Sequence, residues 1–220
     1  MHEELFAAMR QSVIDGDPEQ VERLARQALA LGIDPLEAIN RGFVEGVHYV
    51  GEQFGLGEMF LPDLVMGGEA MKMAVAILEP EMRKRGSARP SLGTVVLGTV
   101  KGDIHEIGKT LVLTMLSASG FQVHDLGVDV PAERFVEQAR ALNADLVGLS
   151  ALLTTTMPGQ RQVVEAMDRQ GLRPRVKVMI GGAPVSHEWA REIGADGYGE
   201  DAVAAVALAR RLLGRELPAR

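Results

Sequence analysis

A carboxylate and an imidazole stand two residues apart, Asp103 and His105, within Gly102-Asp103-Ile104-His105-Glu106-Ile107-Gly108. An apolar run at 94–98 precedes this segment and Lys109-Thr110-Leu111-Val112-Leu113 follows it, so the pair lies where a strand ends and a helix begins. An imidazole offered from a strand end can ligate a metal through one nitrogen while a carboxylate holds the other. His48, His124 and His187 have no partner at zinc-like spacing and His2 is terminal, so all four read as non-ligands. The chain has no cysteine, which excludes disulfides, iron–sulfur clusters, thiolate zinc sites and a cysteine nucleophile.

Two regions with different periodicity must position these groups. Residues 1 to about 85 read as helices only. Leu5, Phe6, Met9 and Val13 repeat at helical spacing; Pro18 opens a second helix ending at Gly32; Asp34-Pro35 starts a third through Val47; Leu61-Pro62 opens a fourth through Leu78. The Met66, Met71, Met73 stretch reads as bundle packing. The charged segment 81–90 loses periodicity and reads as a linker, dividing a helical bundle cap at 1–88 from an α/β domain at 89–220. From Ser91 onward, β-rich runs at 94–98, 122–126, 146–150, 176–181 and 195–198 alternate with helical patterns. This alternation predicts a parallel sheet covered on both faces, in the flavodoxin-like order 2-1-3-4-5.

Such sheets bind ligands beyond the carboxyl ends of their strands, at the switch between the first and third. Asp103 and His105 follow the first strand. Ser150, Leu152, Thr154, Thr155 and Thr156 follow the third, Gly181-Gly182 the fourth and Gly197-Tyr198-Gly199 the fifth. Gly197-Tyr198-Gly199-Glu200-Asp201-Ala202 imitates a dinucleotide fingerprint, but no further strand follows it; lining of the same pocket is the expected use of Tyr198, Gly199, Glu200 and Asp201.

Composition narrows the function. The chain has 220 residues, 46% of them apolar and 24% charged, with a net charge of -7, and its basic residues are scattered, so no nucleic-acid surface is expected. No apolar run reaches the roughly 20 residues that span a bilayer, and Met1-His2-Glu3-Glu4 has no signal-peptide character, so a cytoplasmic location without membrane attachment is expected.

Asp103-x-His105-x-x-Gly108, Ser150-x-Leu152 and Gly181-Gly182 together resemble the cobalamin-binding module of corrinoid proteins and of cobalamin-dependent methionine synthase. Residues 98–109 and the N-terminal helices look like the methyltransferase branch of that family. The resemblance implies methylcobalamin or a related corrinoid bound base-off/His-on, with His105 as the lower ligand of cobalt. Gly102, Ile104, Glu106 and Ile107 would belong to the binding loop. The displaced nucleotide tail would enter a slot beside small residues, Gly108, Gly148, Ser150, Gly181 and Gly182, with Ser150 and Thr154 as hydrogen-bonding partners. Asp103 would orient His105, and Thr156 would stand where methionine synthase has the serine that completes the relay. Phe54 and Leu61 match the two apolar residues that cover the methyl-bearing face, and the lid they form would hinge near 81–90.

The implied function is a methyl carrier in one-carbon metabolism. A donor-specific methyltransferase would load the cobalt, an acceptor methyltransferase would unload it to tetrahydrofolate or a thiol, and a reductive activase would restore it. With lid and cofactor module consuming the 220 residues, no substrate domain of its own is expected. Cobalamin-based light or ligand sensors share the architecture but carry a lid Trp with Glu-His ten and eleven residues on. Those positions are Phe54, Leu64 and Val65 here, and the single Trp, Trp189, lies in the other domain. The small subunit of an adenosylcobalamin mutase shares the Asp-x-His pattern but not the helical lid.

Overall fold

A computed structural model describes residues 2–84, 91–173 and 175–215. The chain divides into two compact units, Met1–Pro90 with Ser117–Gly120, and Ser91–Leu116 with Phe121–Arg220.

The first unit is helical throughout its described length: α1 (Glu3–Ile14), α2 (Pro18–Ala30), α3 (Pro35–Glu37), a π-helical segment (Ala38–Phe43), α4 (Val44–Gly55) and α5 (Leu61–Lys84). Asp17 caps α2 by accepting from the Gln20 N–H at 3.0 Å, ahead of Pro18. Asp34 caps α3 by accepting from Leu36 and Glu37, ahead of Pro35. Each cap satisfies donors that a helix start leaves unpaired, and proline suits the first turn because it has no N–H to lose. α3, the π segment and α4 run on as the third helix, so the unit has four helical rods. Their buried faces carry Phe6, Met9 and Val13, Leu24 and Ala28, Ile39, Phe43 and Val47, and Leu64, Met71 and Leu78. Gly46 lets the third helix approach α1: a Cβ there would lie 2.6 Å from the Arg10 carbonyl oxygen.

Two expected boundaries move. The third helix continues beyond Val47 to Gly55, because Val50 and Gly51 keep its buried side. The fourth runs to Lys84, so the first part of the expected linker, 81–84, is helical; 85–90 lie outside the described residues.

The second unit alternates β1 (Thr94–Thr99), α6 (Ile107–Ala118), β2 (Gln122–Asp125), α7 (Ala132–Ala141), β3 (Leu146–Ser150), α8 (Met157–Arg169), β4 (Lys177–Gly181), α9 (His187–Ile193), β5 (Gly197–Tyr198) and α10 (Ala202–Leu212). All pairings are parallel, in the order β2-β1-β3-β4-β5. Val96, Val147, Leu149, Val178 and Ile180 share one core with Phe135 of α7, Val163 and Met167 of α8, and Ala190 of α9. Val95, Leu146 and Met179 share the other with Leu116 of α6 and Leu208 of α10. With both faces covered, β1, β3 and β4 are apolar along nearly their whole length. No helix among the described residues is long and apolar enough to cross a membrane.

The turn after β4 brings two backbones together. Gly182 sits at φ +128°, and a Cβ there would fall 1.8 Å from the Ala151 carbonyl oxygen. Gly182→Ala is therefore expected to cost about 2 kcal/mol or more, from backbone strain plus overlap. A urea midpoint matching the unsubstituted protein would contradict this packing.

Candidate functional site

The loop after β1 is built around Asp103. Gly102 takes φ +83°, and the Asp103 N–H closes the turn onto the Val100 carbonyl at 3.1 Å. The turn directs the Asp103 side chain inward, where it is fully buried. Its Oδ1 accepts from His105 Nδ1 at 2.7 Å and from the His105 backbone N–H at 3.1 Å. Its Oδ2 accepts from the Leu152 N–H and from the Thr156 hydroxyl, both at 2.7 Å. Burial by itself raises the pKa of this carboxyl. The donated bonds from Thr156, Leu152 and His105 outweigh burial and hold it far below the ordinary carboxylate range.

An ionised carboxylate can only accept, so in the neutral imidazole His105 Nδ1 is the protonated nitrogen and Nε2 is the one with the lone pair. The imidazole is about half exposed, at 46%. The Thr99 hydroxyl donates to the His105 carbonyl at 2.9 Å and fixes the far side of the loop. Thr156 is buried; its one hydroxyl proton is shared between Asp103 Oδ2 and the Leu153 carbonyl, 2.9 Å away. The methyl group of Thr156 lies under Gly102, with ordinary van der Waals separation (3.8 Å) from where a Cβ would be. His105, Asp103 and Thr156 thus form one connected chain of hydrogen bonds.

The remaining expected residues fall into three groups. Ile104, Glu106, Ile107 and Gly108 are exposed along the His105 loop and the start of α6, and no atom lies within 4 Å of where a Gly108 Cβ would be. Ser150 is half-buried at the end of β3, beside Gly181 in the sheet, and its hydroxyl has no protein partner among the described residues; it caps no helix. Thr154 and Thr155 are exposed on the following loop.

Three other placements differ from expectation. The space above Gly148 is taken by Leu97 and Met179, so that glycine serves sheet packing. Tyr198 turns toward α9, its ring edge-on to His187 at 5.1 Å, on the face opposite Met179 and Leu208. Asp201 caps α10, accepting from the Ala204 N–H at 2.7 Å, while Gly199 is buried and Glu200 exposed. In the helical unit, Phe54 is half-buried near the end of α4 and Leu61 is exposed at the start of α5.

Several organising residues escape the sequence reading. Asp129 accepts from the Gly102 N–H, at 2.7 Å. Lys109, buried in the first turn of α6, donates to both oxygens of Asp125 at the end of β2, one at 2.6 Å. Gln160, one helical turn beyond Thr156, donates to the carbonyls of Leu149 and Gly181 and accepts from the Trp189 indole. A lysine inside the apolar run 107–113 and a glutamine four residues after Thr156 were the available signals.

One imidazole with a free Nε2 is a poor site for a bare ion, which needs several protein ligands; no group of three His, Cys, Asp or Glu side chains suits one among the described residues. Ile104, Leu152 and Leu153, on the two loops that meet at Asp103, and Ile107, at the start of α6, leave large apolar surface exposed. A single axial nitrogen with apolar neighbours fits a metal that brings its own flat ring of equatorial ligands.

Comparison with known proteins agrees. Two family models, each described as a B12 binding domain, match residues 93–207 and 5–79. The trimethylamine corrinoid protein of Methanosarcina barkeri is 49% identical over 96% of this chain and 97% of its own length. The crystal structure of a cobalamin-binding protein from Desulfitobacterium hafniense superposes with TM-score 0.79 at 35% identity, covering 94% of this chain and 98% of that one. A chain of the methanol:cobalamin methyltransferase complex of Methanosarcina barkeri superposes with TM-score 0.85 at 28% identity, covering 97% of this chain and 81% of that one.

Asp103 ties acid stability to the site. Its folded pKa is depressed, so its contribution is complete above the ordinary value of 3.8 and is lost as pH falls below it. Asp103→Asn leaves two of the four donors without an acceptor and is expected to cost about 2–4 kcal/mol at pH 7. The gap between the two proteins should narrow as pH drops below 3.8. Urea unfolding at several pH values tests this; a gap constant with pH would contradict it.

Proposed function

The chain belongs to the family of corrinoid proteins built on the B12 binding domain, and from that premise we propose that it carries a methyl group between two methyltransferases. The observation that carries this reading is the His105 imidazole, whose Nδ1–H is held by Asp103 while Nε2 is left free to ligate. The corrinoid, when bound, supplies a cobalt centre able to accept and donate a methyl group.

The chain's own residues bind and orient that group. His105 Nε2 is the proposed lower ligand, in the base-off/His-on arrangement. Asp103 keeps the proton on Nδ1 and sets the plane of the ring; Thr156 holds Asp103 in turn. Ile104, Ile107, Leu152 and Leu153 offer exposed apolar surface near His105 that would shield a bound corrinoid from water. Ser150, whose hydroxyl has no partner among the described residues, and Gly181 beside it are proposed to meet the nucleotide tail, with Gly108 leaving room at the start of α6.

The relative from Methanosarcina barkeri is named for trimethylamine, and we propose a methylated amine as the donor compound, chosen by a separate donor methyltransferase. An acceptor methyltransferase and a reductive activase complete the proposed set of partners.

His105→Ala is expected to abolish the protein-nitrogen coupling in the EPR spectrum of the cobalt(II) form. Nitrogen-15 labelling of histidine identifies the source of the coupling. Coupling that persists in the variant and is traced to another protein nitrogen would overturn the assignment.

A further inference from the structure

We propose that Asp129 is a positioning residue for the His105 ligand, acting through the backbone on both sides of Asp103. The proposal rests on the reading of His105 as the cobalt ligand.

Asp129 and Asn143 are the non-glycine residues with positive φ among those described. Asn143 follows the end of α7, where left-handed residues are common, but Asp129, at φ 54°, terminates no helix. A non-glycine residue keeps this conformation when its surroundings over-determine it, and Asp tolerates it better than most. Two bonds do so here. The Asp129 carboxylate accepts from the Gly102 N–H at 2.7 Å, and the Asp129 N–H donates to the Asp103 carbonyl at 2.9 Å. One residue therefore grips the chain immediately before Asp103 and immediately after it.

Asp129 is itself anchored to the sheet. Thr99 donates to the Gly127 carbonyl, Val130 donates to the Thr99 carbonyl, and Val100 and Val130 form an isolated parallel bridge. Residues 127–130 thus lie alongside 99–103 as a short splint. The Asp103 side chain is held from within by Leu152 and Thr156, and its main chain is held from outside by Asp129. With both grips in place, Asp103 Oδ1 has one position, and the His105 ring that depends on it has one orientation. Without the Asp129 carboxylate, the Gly102 N–H loses its acceptor, and the bonds from Asp103 N–H to Val100 and from the residue-129 N–H to the Asp103 carbonyl are what remain on the main chain of Gly102 and Asp103.

Three full-length variants test this, loaded with the cobalt(II) corrinoid and compared at equal occupancy. Asp129→Asn keeps an acceptor oxygen and tolerates positive φ; it should match the wild-type fraction of histidine-coupled EPR signal within twofold. Asp129→Ala loses the acceptor and strains the backbone; its coupled fraction should fall at least threefold. Asp129→Gly relieves the strain but still lacks the acceptor. Its thermal midpoint should equal or exceed the wild-type value while its coupled fraction still falls, a combination that a purely structural role does not produce. The proposal is overturned if Asp129→Gly, or a folded Asp129→Ala, keeps the full coupled fraction, or if Asp129→Asn is as impaired as Asp129→Gly. Absence of histidine coupling in the wild-type protein would instead refute His105 as the ligand, so the two failures are distinguishable.

Discussion

A fully buried carboxylate governs this site. Removing an ion from water costs several kcal/mol unless its oxygens are satisfied. Asp103 meets that requirement with four donors drawn from two places in the chain: His105 on its own loop, and Leu152 and Thr156 after β3. Satisfying one anion therefore joins the loops that leave β1 and β3. The same requirement fixes the histidine. With Nδ1 committed as a donor, the imidazole has one tautomer and one outward-facing nitrogen, before any metal arrives.

The sheet order explains why those two loops meet. β1 and β3 are neighbours, yet the helices that follow them cover opposite faces: α6 lies with α10 against Val95 and Met179, while α8 lies with α7 and α9 against Val96 and Ile180. The chain must diverge at the carboxyl ends of these strands, and the divergence opens a crevice there. Gly182 lets the turn after β4 pass against Ala151, and Gln160 joins the carbonyls of Leu149 and Gly181.

Much of this was legible in the sequence because it is written in local order. Alternating apolar runs give the strands and helices, the strand count gives the sheet order, and Asp103 and His105 stand at a spacing that survives as a hydrogen bond, while Thr156 was placed beside them by the family resemblance. Other features depend on partners distant in sequence. The burial of Lys109 is intelligible once Asp125 is beside it, and nothing local to residue 129 shows that its carboxylate faces Gly102. Tyr198 is expected to line the pocket because its segment follows the fifth strand, at the sheet edge where the other loops converge. The side it faces depends on the phase of a two-residue strand, where a shift of one position exchanges the faces. Gly148 looked like room for a ligand, but the space is filled by Leu97 and Met179, whose reach across the sheet no spacing rule conveys.

Lys109 shows that the site's frame is built against local preference. It lies in the first turn of α6, where the helix dipole disfavours a cation, and its side chain is almost wholly buried. Neither helix stability nor solubility accounts for it there. What it gains is the Asp125 carboxylate, which also accepts from the Gly127 N–H. Gly127 in turn accepts from Thr99, and Thr99 donates to the His105 carbonyl. The start of α6, the end of β2 and the His105 loop are therefore links in one polar network around the end of β1. Removing the partly exposed Asp125 would leave the buried Lys109 ammonium without a counter-charge, at a cost of about 3 kcal/mol, though the pair adds little net stability when intact. Such a pair specifies geometry more than it stabilises the fold. Here the geometry it specifies is the position of the loop that carries the ligand.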